Sequence, residues 1–153
     1  LKPGIHVTPS VDYAKFDPNG DLGRRRSIYR FLFRTLPDPF MEALDCPSGD
    51  QIIPARGNGV TVQQALALWN DAFVAGNCEQ IAKRIERDLA ANAPEPTSTT
   101  AGIRPGVERA VRLILGREPS TSEAADLVEY TEKHGLANLC RLLINSNEFL
   151  FVN

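Results

Sequence analysis

Stretches in which apolar residues return every three or four positions alternate along this chain with stretches of proline, glycine and small polar residues that show no period. The longest periodic stretch carries Leu66, Trp69, Phe73, Val74, Cys78, Ile81, Ile85 and Leu89. That spacing is one face of a helix. Thr61, with Gln64 three residues later, has the composition of a capping box, in which two side chains satisfy free backbone donors of the first turn. The pattern predicts a helix from Thr61, with a kink or break at Gly76-Asn77, where glycine costs about 1 kcal/mol against alanine. Three shorter helices follow. Pro105 to Leu115 places Val107, Val111 and Ile114 or Leu115 on one side and ends at Gly116, a residue suited to a left-handed cap. Ser120 with Glu123 is a second capping box, opening a helix that runs to about His134 and stops at Gly135. Leu136 to Ile144 repeats apolar residues at Leu136, Leu139, Cys140, Leu143 and Ile144, and the apolar tail Phe149 to Val152 is expected to dock on the helical core.

The first 22 residues contain Pro3, Gly4, Pro9, Pro18, Asn19 and Gly20 and no helical stripe, which predicts an extended arm with a turn at Asn19-Gly20. Asp17 to Asp21 has the opening of a calcium loop. Leu22 stands where such a loop needs glycine and Ile28 where it needs a bidentate glutamate, so a simple turn is the better reading. Gly23 to Leu36 reads as the first helix. Ile28, Phe31, Leu32 and Thr35 share one side, Arg26, Arg30 and Arg34 another, and Pro37 ends it. Pro37-Asp38-Pro39 makes a corner, Phe40 to Leu44 one helical turn, and the sequence from Cys46 to Gly59 an irregular loop. The expected fold is mainly α, an irregular bundle of about five to seven helices with an extended N-terminal arm. Its parts are an arm at 1–22, a helical part at 23–91 with a long loop at 45–60, a linker at 92–102 and a three-helix part at 103–153, joined as one composite domain.

Composition narrows the function. Of 153 residues, 42% are hydrophobic and 24% charged, and 17 basic against 19 acidic residues give a net charge of -2. That is the balance of an ordinary globular protein, without the positive field of a general nucleic-acid binder. No apolar run reaches the roughly 18 residues of a membrane span, so neither nucleic acid nor a membrane span is expected. The chain starts Leu1-Lys2-Pro3-Gly4, and it reads as a piece of something longer.

The residues offer little catalytic chemistry. G-x-S-x-G, a phosphate-binding G-x-x-x-x-G-K and H-E-x-x-H are all missing. Cys46, Cys78 and Cys140 are scattered, with no C-x-x-C and no C-x-x-C-H for covalent haem, and His6 and His134 have no sequence neighbours suited to zinc. Asp45, Asp71 and Glu148 are acids that sequence cannot pair. No catalytic, cofactor-binding or metal-binding residue is therefore assigned. The most site-like feature is the basic cluster, with Arg25, Arg26, Arg30 and Arg34 as candidate anion or interdomain contacts, since guanidinium forks suit sulfate, phosphate and carboxylate. The plainer alternative is that these arginines pair with acids such as Asp45, Asp71 or Glu148, or are solvated.

Several separated motifs together resemble one family. They are Arg25-Arg26-Ser27-Ile28-Tyr29, Arg34-Thr35 with Pro37-Asp38-Pro39-Phe40, Asp45-Cys46-Pro47, Thr61 with Gln64-Ala65-Leu66-Ala67-Leu68 and Asn70-Asp71, Leu115-Gly116-Arg117 with Pro119 and Glu123, and Asn145-Ser146-Asn147-Glu148-Phe149-Leu150. Over Gly23 to Val152 the chain is similar to the planctomycete-specific C-terminal domain of unknown function, found in large exported proteins that often carry a c-type cytochrome segment. Val62-Gln63 stands where members often read Pro-Leu. The resemblance implies a periplasmic or cell-surface location, the upstream domains of a parent protein as partner, and c-type haem only in that upstream region. It supplies no catalytic residue. The expected role is a non-catalytic interaction or accessory domain. The alternative is a part of an exported enzyme or binding protein that holds anionic polysaccharide on the arginine face.

Overall fold

The computed structural model describes residues 12, 13–17, 20, 21, 23, 25, 26, 29, 36–46, 61–92 and 99–151. Among them are a 3-10 turn, Tyr13–Lys15, and seven α-helices: α1 Pro39–Ala43, α2 Val62–Asn70, α3 Ala72–Asn92, α4 Thr99–Leu115, α5 Thr121–His134, α6 Leu136–Ile144 and α7 Asn147–Leu150. No strand occurs among the described residues, so the fold is mainly α. The chain divides into two compact units, Leu1–Gln64 and Ala65–Asn153, with the boundary inside α2.

In the first unit, the Tyr13 hydroxyl donates to the Leu36 carbonyl at 2.7 Å; most of the arm expected at 1–22 lies outside the described residues, and its described part forms the 3-10 turn. The expected turn at Gly20 is present, with its N–H donating to the Asp17 carbonyl at 3.3 Å. The expected helix from Gly23 to Leu36 is not what its described residues form. Gly23 is in a turn, Arg25 in a bend, and Tyr29 closes a short turn by donating to the Arg26 carbonyl at 2.9 Å. The glycines and aspartates just before this stretch favour tight turns over a helix start. The rest of that stretch, and the loop expected at Cys46–Gly59 beyond Cys46 itself, lie outside the described residues. The single turn expected after the Pro37-Asp38-Pro39 corner is α1. Buried Asp38 caps it by accepting from the Phe40 N–H at 2.9 Å and the Met41 N–H at 3.3 Å, and Pro39 occupies the first position, where a missing N–H costs nothing.

The capping box at Thr61 is formed in both directions: Gln64 N–H donates to Thr61 Oγ1 at 3.2 Å, and Thr61 N–H to Gln64 Oε1 at 3.0 Å. The helix it opens breaks at Asp71 instead of Gly76-Asn77. Asp71 starts α3 by accepting from the Phe73 N–H at 2.8 Å, and aspartate caps a helix better than it sits inside one. Gly76 stays within a continuous α3, where the Asn77 side chain donates to the Phe73 carbonyl at 2.7 Å. The break shifts the helical phase, and Leu66, expected in the core, is 56% exposed.

The core of the second unit is made by Val74, Cys78, Ala82 and Ile85 of α3, Val107, Ala110 and Val111 of α4, Ala124 of α5, and Leu139, Cys140 and Leu143 of α6. Helix α3 packs on α4 and α6, and α5 packs on α4 and α6. Residues on both sides of the expected linker therefore share one core. At the end of the expected linker, Thr99 to Gly102 are helical and Pro105 lies inside α4, while 93–98 lie outside the described residues. Proline disfavours helical geometry in its predecessor without forbidding it, and Arg104 pairs with Glu108 at 3.0 Å across the site. Gly116, at φ 74°, and Gly135, at φ 83°, end α4 and α5 as expected, in a region costly for other residues. The tail docks through α7, which contacts α4 and α6, with Leu150 partly buried. Phe149 and Phe151 stay exposed, at 43% and 41%.

Candidate functional site

The four arginines singled out from the sequence do not form a described cluster. Arg25 and Arg26 are exposed on non-helical backbone. Arg30 and Arg34 lie outside the described residues. The acids offered as their partners are engaged elsewhere: Asp45 accepts from Gln64 Nε2 at 2.5 Å, Asp71 caps α3, and Glu148 pairs with Arg117.

Arg117 is the main polar junction of the second unit. Gly116 turns the chain out of α4, and the next side chain meets α5 and α7 together. Its two terminal nitrogens donate to both oxygens of Glu123 at 2.8 Å, while Nε and Nη2 donate to Glu148 at 2.5 and 2.7 Å. Glu123 also closes the capping box, accepting from the Ser120 N–H at 3.2 Å. Bidentate pairing is the strongest geometry open to a guanidinium. The Arg117 hydrogen bond holds the carboxyls of Glu123 and Glu148 below the usual carboxylate range, and the two glutamates hold Arg117 firmly protonated. Such a group neither takes nor gives a proton near neutral pH, so its chemistry is that of a clasp. Sequence reasoning treated Leu115-Gly116-Arg117 and Asn145 to Phe149 as separate motifs. Their one legible link was the charge complementarity of Arg117 and Glu148.

A second junction, also missed, joins α2 to α6. Arg141 donates to the Trp69 carbonyl and lies with its guanidinium carbon 5.0 Å from the Trp69 ring centroid, a cation–π contact. Asn145 donates to the Leu68 carbonyl at 3.4 Å. Both side chains serve carbonyls at the end of α2 that the helix itself leaves open.

Two of the three thiols are protected. Cys78 and Cys140 are buried and Cys46 partly buried, all three free. Burial raises the Cys78 thiol, against the pull of Arg141, and pushes Cys140 up to about 12, with Cys78 adding to the effect. Both remain protonated and unreactive while the fold persists. No cluster of three metal-ligating side chains occurs among the described residues, and no described helix is long and apolar enough to cross a membrane.

A family model described as PSD1, protein of unknown function (DUF1553), matches residues 3–131. The chain belongs to this family. The match begins upstream of the first motif that suggested a resemblance and ends at Thr131 in α5, so the Asn145 to Leu150 motif lies beyond it. Comparison with curated proteins and with solved structures finds no match.

Proposed function

We propose that this PSD1 domain is a non-catalytic helical interaction module, the C-terminal part of a larger exported and cytochrome-associated protein, and that it packs against the upstream domains of that parent. The observation that carries this reading is apolar exposure in the second unit, where Leu66, Phe149 and Phe151 are 56%, 43% and 41% exposed. Large apolar side chains in water are where a partner surface gains most. The polar junctions support the same reading, since Arg117, Glu123, Glu148 and Arg141 are occupied in holding helices together.

The upstream region, supplied as a separate chain, should bind this domain in a calorimetric titration. Leu66→Asp together with Phe149→Asp should weaken binding at least about tenfold, the worth of about 1.4 kcal/mol. Absence of binding by the wild-type chain would remove the proposal. Haem belongs, in this reading, to the upstream region. An absorption spectrum of the full-length parent should show a haem band that this chain alone lacks.

A second reading is supported by the exposure of Arg25 and Arg26. Here the domain contributes to an exported enzyme or binding protein that holds anionic polysaccharide, with Arg30 and Arg34 extending the contact. Replacing Arg25 and Arg26 by Ala should then lower retention on a sulfated polysaccharide column, in a manner that added salt mimics. Unchanged retention counts against it.

A further inference from the structure

We infer that the outward face of α3, at Lys83, Arg84 and Arg87, is a binding surface for a linear acidic polysaccharide, a sugar polymer carrying carboxylate or sulfate groups. Buried Val74, Cys78, Ala82 and Ile85 fix the side of α3 that meets the core. At 3.6 residues per turn, the opposite side carries Lys83, Arg84 and Arg87, all of them exposed. The acids of the same stretch, Glu79, Glu86 and Asp88, stand on the flanks of that face. Lys83 and Arg87 are about 6 Å apart along the helix axis, close to the length of one sugar ring in an extended polymer, and Arg84 lies between them.

These charges are not used within the fold. Lys83, Arg84 and Arg87 have no ion-pair partner among the described residues, whereas Arg104, Arg109, Arg112, Arg117 and Lys133 pair with acids and Arg141 serves Trp69. Glu79, four residues before Lys83 in the orientation that favours a pair, makes none with it, although the same spacing is paired at Arg104–Glu108 and Glu129–Lys133. Arg87 Nε donates to the Lys83 carbonyl at 3.4 Å, which lays its guanidinium back along the helix and leaves the terminal nitrogens to an outside ligand. Like charges one turn apart repel, and an anionic ligand relieves that repulsion.

What the face lacks selects the ligand class. The large apolar side chains exposed among the described residues are Tyr29, Leu36, Val62, Leu66, Phe149 and Phe151, and none is on α3. The centre of a protein interface is apolar and aromatic, and single-stranded nucleic acid stacks its bases on aromatic rings; neither anchor is present here. A hydroxyl-rich acidic polymer needs only guanidinium and ammonium donors for its carboxylates or sulfates. The ligand class is that of the second reading above, but no residue is shared with it, so either can fail alone.

The test is binding of the full chain to immobilised polymers, read by surface plasmon resonance. The probes are polygalacturonate, dextran sulfate, neutral dextran and polyglutamate. Binding to polygalacturonate or dextran sulfate is expected and should fall as salt rises, with none to dextran and at least about tenfold weaker binding to polyglutamate. Lys83→Ala, Arg84→Ala and Arg87→Ala combined, at exposed helical positions where alanine is well tolerated, should weaken binding at least about tenfold while the urea midpoint is kept. Two control variants, Arg104→Ala with Arg112→Ala and Arg25→Ala with Arg26→Ala, should bind as the wild type does. The inference is overturned by an absence of binding to both acidic polysaccharides, by equal binding to polyglutamate, by unaltered binding in the triple variant, or by a loss as large in either control.

Discussion

Leu139→Ala puts the description of the core to its most direct test. Leu139 is 0% exposed and sits on α6, the helix that packs against α3, α4 and α5. Removing three carbons forfeits about 2.4 kcal/mol of transfer free energy at about 0.8 kcal/mol each. Neighbours anchored on other helices close the gap only in part, and a residual cavity of about 40 Å³ adds about 1 kcal/mol. The expected loss is therefore about 3 to 4 kcal/mol. For a chain of this length, that lowers the midpoint of thermal unfolding by about 7 to 14 °C. Trp69 is the single tryptophan and is contacted by Arg141 of α6, so its fluorescence in a urea titration follows the second unit. Leu66→Ala, at a position 56% exposed, is the control and should cost under about 0.5 kcal/mol. A loss below about 1 kcal/mol for Leu139→Ala, or equal losses for the two variants, would refute this account of which positions form the core.

Three further outcomes are expected. Gly116→Ala should cost about 1 kcal/mol in urea unfolding, because the position has φ 74° while nothing lies within 4 Å of the added Cβ; Gly116→Asn should recover part of the loss. The depressed carboxyls of Glu123 and Glu148 mean that the folded state binds fewer protons than the unfolded one. Their stabilisation is complete above the ordinary glutamate value and is lost as pH falls through the depressed folded values; Arg117→Met should remove that part of the acid dependence of the urea midpoint. In native protein an alkylating reagent should label Cys46 first, with Cys78 and Cys140 reacting only on unfolding, as read by mass spectrometry.

Where local chemistry sets the geometry, the chain is legible without its tertiary structure. Both capping boxes and the end of α6 at Asn145 follow from side chains reaching backbone groups within four residues, and the stops at Gly116 and Gly135 from the positive φ that glycine adopts. The misreadings share one cause. Gly76 weakens a helix on its own, but Asn77 bonding to Phe73 and the packing of α3 on α6 carry the helix through it, while Asp71 finds a cap next door. The periodicity that puts Leu66 in the core runs across that cap, where the helical phase changes. A helix start at Pro105 follows from the local preference against helix before proline, and the packing of α4 overrides it.

For the candidate sites the division is sharper. Composition and motif content alone determined that the chain is a helical domain of modest negative charge without a recognised catalytic signature. They also singled out Arg25, Arg26, Arg30 and Arg34, of which Arg25 and Arg26 are exposed and the other two lie outside the described residues. Only the tertiary structure joined Arg117 to Glu123 and Glu148, Arg141 to Trp69, and Arg109 of α4 to Asp88 of α3. The physical reason is the reach of the interactions involved. Caps and helical stripes depend on neighbours a few residues away, so sequence order contains them. Ion pairs and clefts depend on which helix faces which, and that is decided when buried Ile85, Val107, Val111 and Leu139 pack against one another from separate parts of the chain.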